Sequence, residues 1–393
     1  MAIVSRRLLI ALGLVAVLAV VLYFGVRRAL GAPTASITLS ATLPGTISNN
    51  ARVVLTPTMF AFQLAPYGGG DYAILVNNGV PSTIPDPVTP MPGVDYSNIT
   101  GRAIIGNYIV FGGGENSSQP WSPCAAPCAP YQGFFNMSTG KLVISKLQGG
   151  SCDNMNMSGA VAGNNGDIVV FGGSSQGSTT GSTGYAIYNS SLRPYLFGML
   201  SPNDNEGNPL DLYRKPSTLV GSTVYFVAKN LNNSHAIVES VTLSQLYSNG
   251  TSVINVLCGT SNTITPTYVA DIASSWVAGG VQALYYNNGT LYFLFQGGDG
   301  IVKIASLNLT NGAINTVNLI QSSSIGPFLE IVNGTAYVGI QNGNTFIVNK
   351  YTLSGSLIQT ISFPGQGFVD PQGYVVVFSN GLNAGSTISV TKV

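Results

Sequence analysis

The sequence predicts an all-β protein built as a single β-propeller, with seven blades as the first choice and six or eight as alternatives. The chain has 393 residues and contains 48 Gly and 19 Tyr, a composition typical of short strands and many turns. Glycine-led strands recur along it at intervals of roughly 40 to 70 residues. Hydrophobic residues make up 45% and charged residues only 7%, so a sizeable core is available and no basic face exists for nucleic acid.

An uncharged, mostly aliphatic run occupies residues 8–26 and has a pair of arginines on each side. Its length is close to the ~20 residues that cross a bilayer as a helix. We predict a transmembrane anchor at 8–26, preceded by a short tail (1–7) and followed by a linker (27–34). A cleavable signal peptide and a pilin-type leader are the alternatives. The turn-rich remainder favours a single-pass protein of the plasma membrane with its bulk outside the cytoplasm.

The propeller is predicted over residues 35–393. Segment 35–43 alternates strictly between apolar and polar residues, as a strand with one buried face does. The last repeat ends after its third strand and lacks a fourth. We therefore predict that 35–43 pairs with 387–393, which closes the ring and removes an exposed sheet edge.

The repeated unit is a glycine turn, an aromatic-rich strand and a second strand. Six copies begin at a glycine: Gly106, Gly166, Gly221, Gly289, Gly334 and Gly373. A seventh, degenerate copy precedes them, with its first strand at Met59 to Leu64. One such unit cannot bury both of its faces alone, so the units are expected to pack around a ring.

Two copies end their first strand in a phenylalanine and a diglycine, at 111–113 and 171–173, and Tyr131 or Tyr185 begins the next strand. These features resemble kelch-type propeller repeats. The resemblance implies a propeller that binds other molecules through loops at one end of the ring, and it brings no catalytic residues. The composition also resembles that of surface proteins of thermophilic archaea.

Three long connections are expected to carry function, at 80–98, 112–130 and 196–215. The candidate ligand-binding residues on them are Trp121, Asp204, Glu206, Asp211 and Arg214. The three acids Asp204, Glu206 and Asp211 could supply oxygen ligands to calcium, although the EF-hand order is missing. The alternative is a solvated loop whose acids pair with neighbouring basic residues.

Four cysteines in an exported chain suggest disulfides. The candidates are Cys124, Cys128 and Cys152, and the simplest bridge joins Cys128 to Cys152. Cys258 is expected to be free or to pair with the remaining thiol.

Asn-x-Ser/Thr sequons occur ten times. The glycosylation candidates are Asn98, Asn116, Asn136, Asn156, Asn189, Asn232, Asn249, Asn288, Asn308 and Asn333. Turn chemistry alone also produces such triplets. We expect some of them to be modified, because a chain outside the cytoplasm is exposed to the glycosylating machinery.

Catalysis is not expected, because His235 is the only histidine and no catalytic constellation is recognisable. No cofactor is expected apart from calcium. The sequence therefore predicts a membrane-anchored cell-surface module, with a binding or structural role, that recognises a protein or glycan. A glycan-cleaving propeller with a close carboxylate pair and a pilin-like filament subunit are the alternatives.

Overall fold

The computed structural model describes residues 36–40, 47–64, 73–83, 95–96, 101–113, 115–116, 131–146, 156–173, 183–211, 216–252, 263–322, 328–383 and 385–393. Within these residues the chain forms a seven-bladed β-propeller, which confirms the predicted class and blade number. Strands are numbered in chain order, and β1 (Ser36–Ser40) precedes the first blade.

Blades 1 to 3 each contain four antiparallel strands that follow one another in chain order, with β9 inserted in blade 2. Blade 1 comprises β2 (Ile47–Thr56), β3 (Met59–Leu64), β4 (Ala73–Asn77) and β5 (Val80–Thr83). Blade 2 comprises β7 (Gly101–Ile105), β8 (Tyr108–Gly113), β10 (Tyr131–Asn136) and β11 (Lys141–Lys146). The short strands β6 (Asp95–Tyr96) and β9 (Glu115–Asn116) pair with each other outside the blades. Blade 3 comprises β12 (Asn156–Ala162), a 3-10 turn (Asn164–Gly166), β13 (Ile168–Gly173), β14 (Thr183–Tyr188) and β15 (Pro194–Leu200).

Blades 4 and 5 share one long strand. Blade 4 comprises β16 (Leu210–Asp211), β17 (Ser217–Val220), β18 (Thr223–Asn230), β19 (His235–Thr242), helix α1 (Leu243–Asn249) and the first part of β21 (Thr267–Asn287). Strand β20 (Thr263–Ile264) lies before β21 and extends the outer edge of blade 3 instead. Blade 5 comprises the second part of β21, β22 (Thr290–Gly297), β23 (Ile301–Asn308) and β24 (Ile314–Gln321).

Blades 6 and 7 complete the ring. Blade 6 comprises β25 (Phe328–Val332), β26 (Thr335–Asn342), β27 (Thr345–Thr352) and β28 (Leu357–Pro364). Blade 7 comprises β29 (Gln366–Val369), β30 (Tyr374–Leu382) and β31 (Thr387–Lys392), with β1 as its fourth and outermost strand. Ile37 lies opposite Val390 in this pair, so the first described strand supplies the fourth strand that the last repeat lacks.

Seven buried hydrophobic clusters hold the ring together, one between each pair of neighbouring blades. The cluster at the seam between blades 7 and 1, for example, packs Val54 and Phe60 against Phe378 and Val390. Alternate side chains of a strand point to opposite faces of its blade, so both faces are buried against neighbours. Seven clusters for seven blades mean that the ring is closed.

The repeated glycines occupy the turn between the first and second strands of blades 2 to 7. All six have positive φ, from +56° at Gly106 to +83° at Gly166. Residues with a side chain rarely adopt this conformation, which is why the turn is marked so clearly in the sequence. The strands that follow these glycines, together with β3, are the second strands of the seven blades.

The diglycine at 112–113 makes room for a side chain of the next strand. A Cβ on Gly112 would lie 2.1 Å from Oε1 of Gln132, and a Cβ on Gly133 would lie 2.2 Å from the Phe111 ring. The glycines are therefore needed because each one faces a large side chain on the adjacent strand.

Residues 8–26, the predicted anchor, lie outside the described residues. No helix within the described ranges is long and apolar enough to span a membrane.

Candidate functional site

The two ends of the blades differ in their connections. At one end, which we call the turn face, the first strand joins the second and the third joins the fourth. These connections are short turns, such as 57–58, 106–107 and 333–334, except in blade 4, where residues 243–266, including α1 and β20, separate β19 from β21. At the other end, the loop face, the second strand leads to the third and the fourth strand leads to the next blade. The three segments predicted to carry function, 80–98, 112–130 and 196–215, each contain a connection that joins strands at the loop face, namely those that follow β5, β8 and β15. Two of them pair directly through β6 and β9.

The predicted ligand-binding residues are only partly described. Trp121 and Arg214 lie outside the described residues, as do the disulfide candidates Cys124, Cys128 and Cys152. Asp204 and Glu206 lie on the connection from blade 3 to blade 4. Asp211 lies opposite Lys229 in the backbone pairing of β16 with β18. The predicted roles of these residues stay predictions.

Asp204 organises its connection. Its Oδ1 accepts hydrogen bonds from the backbone N–H groups of Glu206 (2.9 Å) and Asn208 (2.8 Å), and its Oδ2 accepts one from Nδ2 of Asn208 (2.7 Å). The Asp204 residue is 4% exposed, whereas Glu206 is exposed. An aspartate whose carboxylate accepts hydrogen bonds from the backbone of its own turn holds that turn in one conformation.

A buried glutamate that the sequence analysis did not name lies beside Asp204. Glu239 is on β19, is 0% exposed, and no hydrogen-bond donor reaches either carboxyl oxygen. The Asp204 carboxyl lies within hydrogen-bonding reach, but two ionised carboxylates can only accept. Burial, reinforced by Asp204 and Glu206, raises the pKa of Glu239 to about 9. At neutral pH Glu239 is therefore a neutral acid that can donate its proton to Asp204.

The acids of this region do not form a recognisable metal centre within the described part of the chain, where no three His, Cys, Asp or Glu side chains converge on one point. Calcium accepts carbonyl oxygens and water as well as carboxylates, so a site with two carboxylates would need such additional ligands. The calcium site stays a prediction.

His235 lies next to a carboxylate, that of Asp271. Its Nδ1 lies 2.9 Å from Oδ2 of Asp271 on β21, and both side chains are about one-third exposed. A hydrolytic triad would also need a nucleophile within reach of this histidine, and none of the hydrogen bonds found for His235 involves one.

An ion pair crosses the central channel. Arg102 on the first strand of blade 2 pairs with Glu330 on the first strand of blade 6. These blades are not neighbours, so the contact spans the middle of the ring. Burial raises the pKa of Glu330 to about 7, against the opposing attraction of the Arg102 guanidinium, and burial also raises the pKa of the nearby Asp370.

Asp370 fastens the inner end of the seam between blades 7 and 1. Its Oδ2 accepts a hydrogen bond from the Val54 N–H (3.3 Å), and Nε2 of Gln372 donates to the Val54 carbonyl (2.6 Å). The Asp370 residue is 1% exposed. This acid therefore has a structural role in ring closure.

Arg102, Glu239 and Glu330 were missed in the sequence, although each carries a recognisable signal. Each is an acidic or basic residue that lies within a strand and directly beside an apolar residue. A charge in such a position is buried on folding and needs a partner or a proton. The sequence contains no indication of which distant strand supplies that partner.

The strand order and the seven inter-blade clusters define this chain as a seven-bladed β-propeller with most of its long connections at the loop face. No protein-family model matches the sequence, and no curated protein matches it. A solved structure of a prolyl endopeptidase is similar with a TM-score of 0.43 and 11% identity, covering 87% of this chain and 45% of that chain. The present chain thus spans less than half of that enzyme's length.

Proposed function

We propose that this chain is a membrane-anchored, extracytoplasmic propeller that binds a protein or glycan ligand through its loop face. The observation that carries the proposal is the unequal distribution of long connections, which join strands at the loop face in every blade except blade 4, where 243–266 leaves from the turn face. Long, variable connections at one end of a rigid scaffold are where binding residues are usually found. Blades 1 to 4 contribute the long connections, so the ligand is expected on their side of the loop face.

The kelch-like features support the same function. Kelch-type propellers use loops at one end of the ring, and the diglycine strands of this chain end at its loop face. The composition that resembles archaeal surface proteins and the anchor at 8–26 together support a location at the cell surface.

Binding can be tested with the full chain in detergent micelles, probed against a glycan array and an array of extracellular proteins. In a test variant, residues 114–130 are replaced by the short Gly343-Asn344 turn of blade 6. We expect binding to one class of probe, and its loss in the variant with an unchanged unfolding temperature. A turn-face variant, Ile358→Ser, is the matched control and should bind normally. Absence of binding to both arrays, or binding that survives the replacement, would refute the proposal.

Glycan cleavage is the second candidate, because Glu330 and Asp370 are two acids close to the same guanidinium in the channel. Glycosidases use such carboxyl pairs. However, Asp370 is almost fully buried and bonded to the backbone, which suits ring closure better. Release of nitrophenol from aryl glycosides by the full chain, abolished in Glu330→Gln, would support the enzyme.

A further inference from the structure

The exposed large hydrophobic residues of the described structure lie at the turn-face ends of the blades. Seven of them lie on the outer part of the ring: Ile37, Val80, Met137, Tyr195, Ile314, Leu357 and Ile358. Each is in, or within two residues of, the connection between the third and fourth strands, or at the start of β1. The eighth, Ile104, lies at the turn-face end of β7.

These residues form a rim with contributions from six of the seven blades. Val80 is 68% exposed in blade 1, Leu357 is 58% exposed in blade 6, and Ile314 is 42% exposed in blade 5. Single exposed apolar residues are normal on a soluble surface. Their repetition at one level around the ring means that a flat apolar medium could contact all of them together.

The charged side chains also differ between the turn face and the loop face. Among the charged side chains whose exposure is described, the exposed basic residues Lys141, Arg193 and Lys392 lie at turn-face ends. The exposed acids Glu206 and Asp299 lie at the loop face. Two acids of the described chain lie at the turn face, and neither is a free surface charge: Asp167 accepts hydrogen bonds from two tyrosine hydroxyls, and Asp370 is 1% exposed and accepts one from the Val54 N–H. The turn face therefore combines apolar and basic side chains, as surfaces that contact anionic lipid do.

The chain also reaches the propeller from this side. Ser36 pairs with Thr391 near the turn-face end of β31, whereas Ser40 pairs with Thr387 near the loop face. The linker from the predicted anchor therefore joins the ring at the turn face. A linker at 27–34 followed by residue 35 spans at most about 30 Å, which keeps the turn face close to the bilayer that holds the anchor.

We propose that the turn face docks on the lipid bilayer, with its apolar rim and basic residues at the headgroup level and its loop face directed away from the membrane. This inference rests on the anchor in the proposed function. It adds an orientation: the ligand-binding loops are presented to the outside. Tyr195 suits such a position, because tyrosine is enriched at membrane–water interfaces and the Tyr195 hydroxyl is already satisfied by donating to Asp167.

The orientation can be measured by fluorescence quenching. Leu357→Cys at the turn face and Asp299→Cys at the loop face are each labelled with an environment-sensitive maleimide dye. The full chain is reconstituted in vesicles of phosphatidylcholine and phosphatidylserine that contain a lipid with a spin label near the headgroup. Wild-type chain labelled in parallel measures the background from the native cysteines.

Docking predicts a loss of emission and a blue shift for the dye at position 357, with neither effect at position 299. Val80→Cys in blade 1 is a second turn-face site in case Leu357→Cys fails to fold. Flotation of the chain with the vesicles without quenching at 357 and 80 would overturn the docking but leave the anchor intact. Failure to float with the vesicles would overturn the anchor and, with it, the docking.

Discussion

Ile37 lies directly opposite Val390 in the antiparallel pair β1–β31, so blade 7 contains strands from two distant parts of the chain. Asp370 makes a second such link, accepting a hydrogen bond from Val54 at the inner end of the same seam. The ring is thus fastened at both its outer and inner edges. Since the chain is continuous through every other junction, loss of this seam would open the ring.

The first prediction concerns this seam. Ile388 is 0% exposed in the cluster between blades 7 and 1. Ile388→Ala should lower the free energy of unfolding by about 2–5 kcal/mol, because it removes buried methyl groups and leaves a cavity. Ile358→Ala is the control, since Ile358 is 49% exposed and should change stability by less than about 0.5 kcal/mol. Urea denaturation measures both, and equal effects would contradict the assigned packing.

The second prediction concerns the glycine on β10. A Cβ at Gly133 would collide with the Phe111 ring, so Gly133→Ala should destabilise the fold by about 1–3 kcal/mol through overpacking. In a Phe111→Leu background the same change should cost less, because the ring is gone. A double-mutant cycle by urea denaturation measures this coupling. An unchanged cost in both backgrounds would show that the glycine is needed for another reason.

The middle strands of the blades could be predicted from the sequence because their turns need positive φ and their cores are aromatic. Gly106 and Gly166, for example, have positive φ, and each is followed by a strand that contains an aromatic residue. The inner strands were not predicted individually. They are short, and β7 and β25 each carry a charge that breaks the apolar pattern.

The channel ion pair joins two blades that are not neighbours, and the Asp204–Glu239 pair joins the connection before blade 4 to a strand of that blade. Arg102 and Glu330 are 228 residues apart in the chain, and no local pattern encodes their approach. The loop at Asp204 was predicted as a site because charge is dense there. Its partner, Glu239, comes from strand β19, whose sequence predicts a core strand.

The third prediction is a loss of stability between about pH 4.5 and pH 9 that Glu239 causes. Its pKa in the folded state, about 9, lies above the ordinary value of 4.5, so the folded state holds this proton more tightly than the unfolded state. The stabilisation is complete below pH 4.5 and is lost progressively as the pH rises towards 9. Glu239→Gln mimics the neutral acid and should reduce this decline in thermal unfolding measured across the pH range.

The same variant tests the calcium prediction at Asp204. If calcium is held there with Glu239 as a ligand, the wild-type unfolding temperature should rise with added calcium and fall with EDTA, and Glu239→Gln should abolish the response. Asp299→Asn, an exposed acid elsewhere on the loop face, should respond as the wild type does. If the unfolding temperature of the wild-type chain does not change with calcium, the calcium prediction is wrong. A shared proton then accounts for the closeness of Asp204 and Glu239.

The last prediction concerns the separate contributions of Arg102 and Glu330 to stability. Arg102→Met leaves Glu330 without its cation and should destabilise the fold by about 3–5 kcal/mol at pH 8. The cost should shrink towards pH 5, because Glu330, whose pKa is already raised to about 7 by burial, then takes up a proton instead. Arg102→Met combined with Glu330→Met should recover most of the stability at pH 8, since no buried charge remains. Urea denaturation of the three chains at both pH values measures this. A double variant as unstable as Arg102→Met would mean that packing of the arginine, and not its charge, supports the channel.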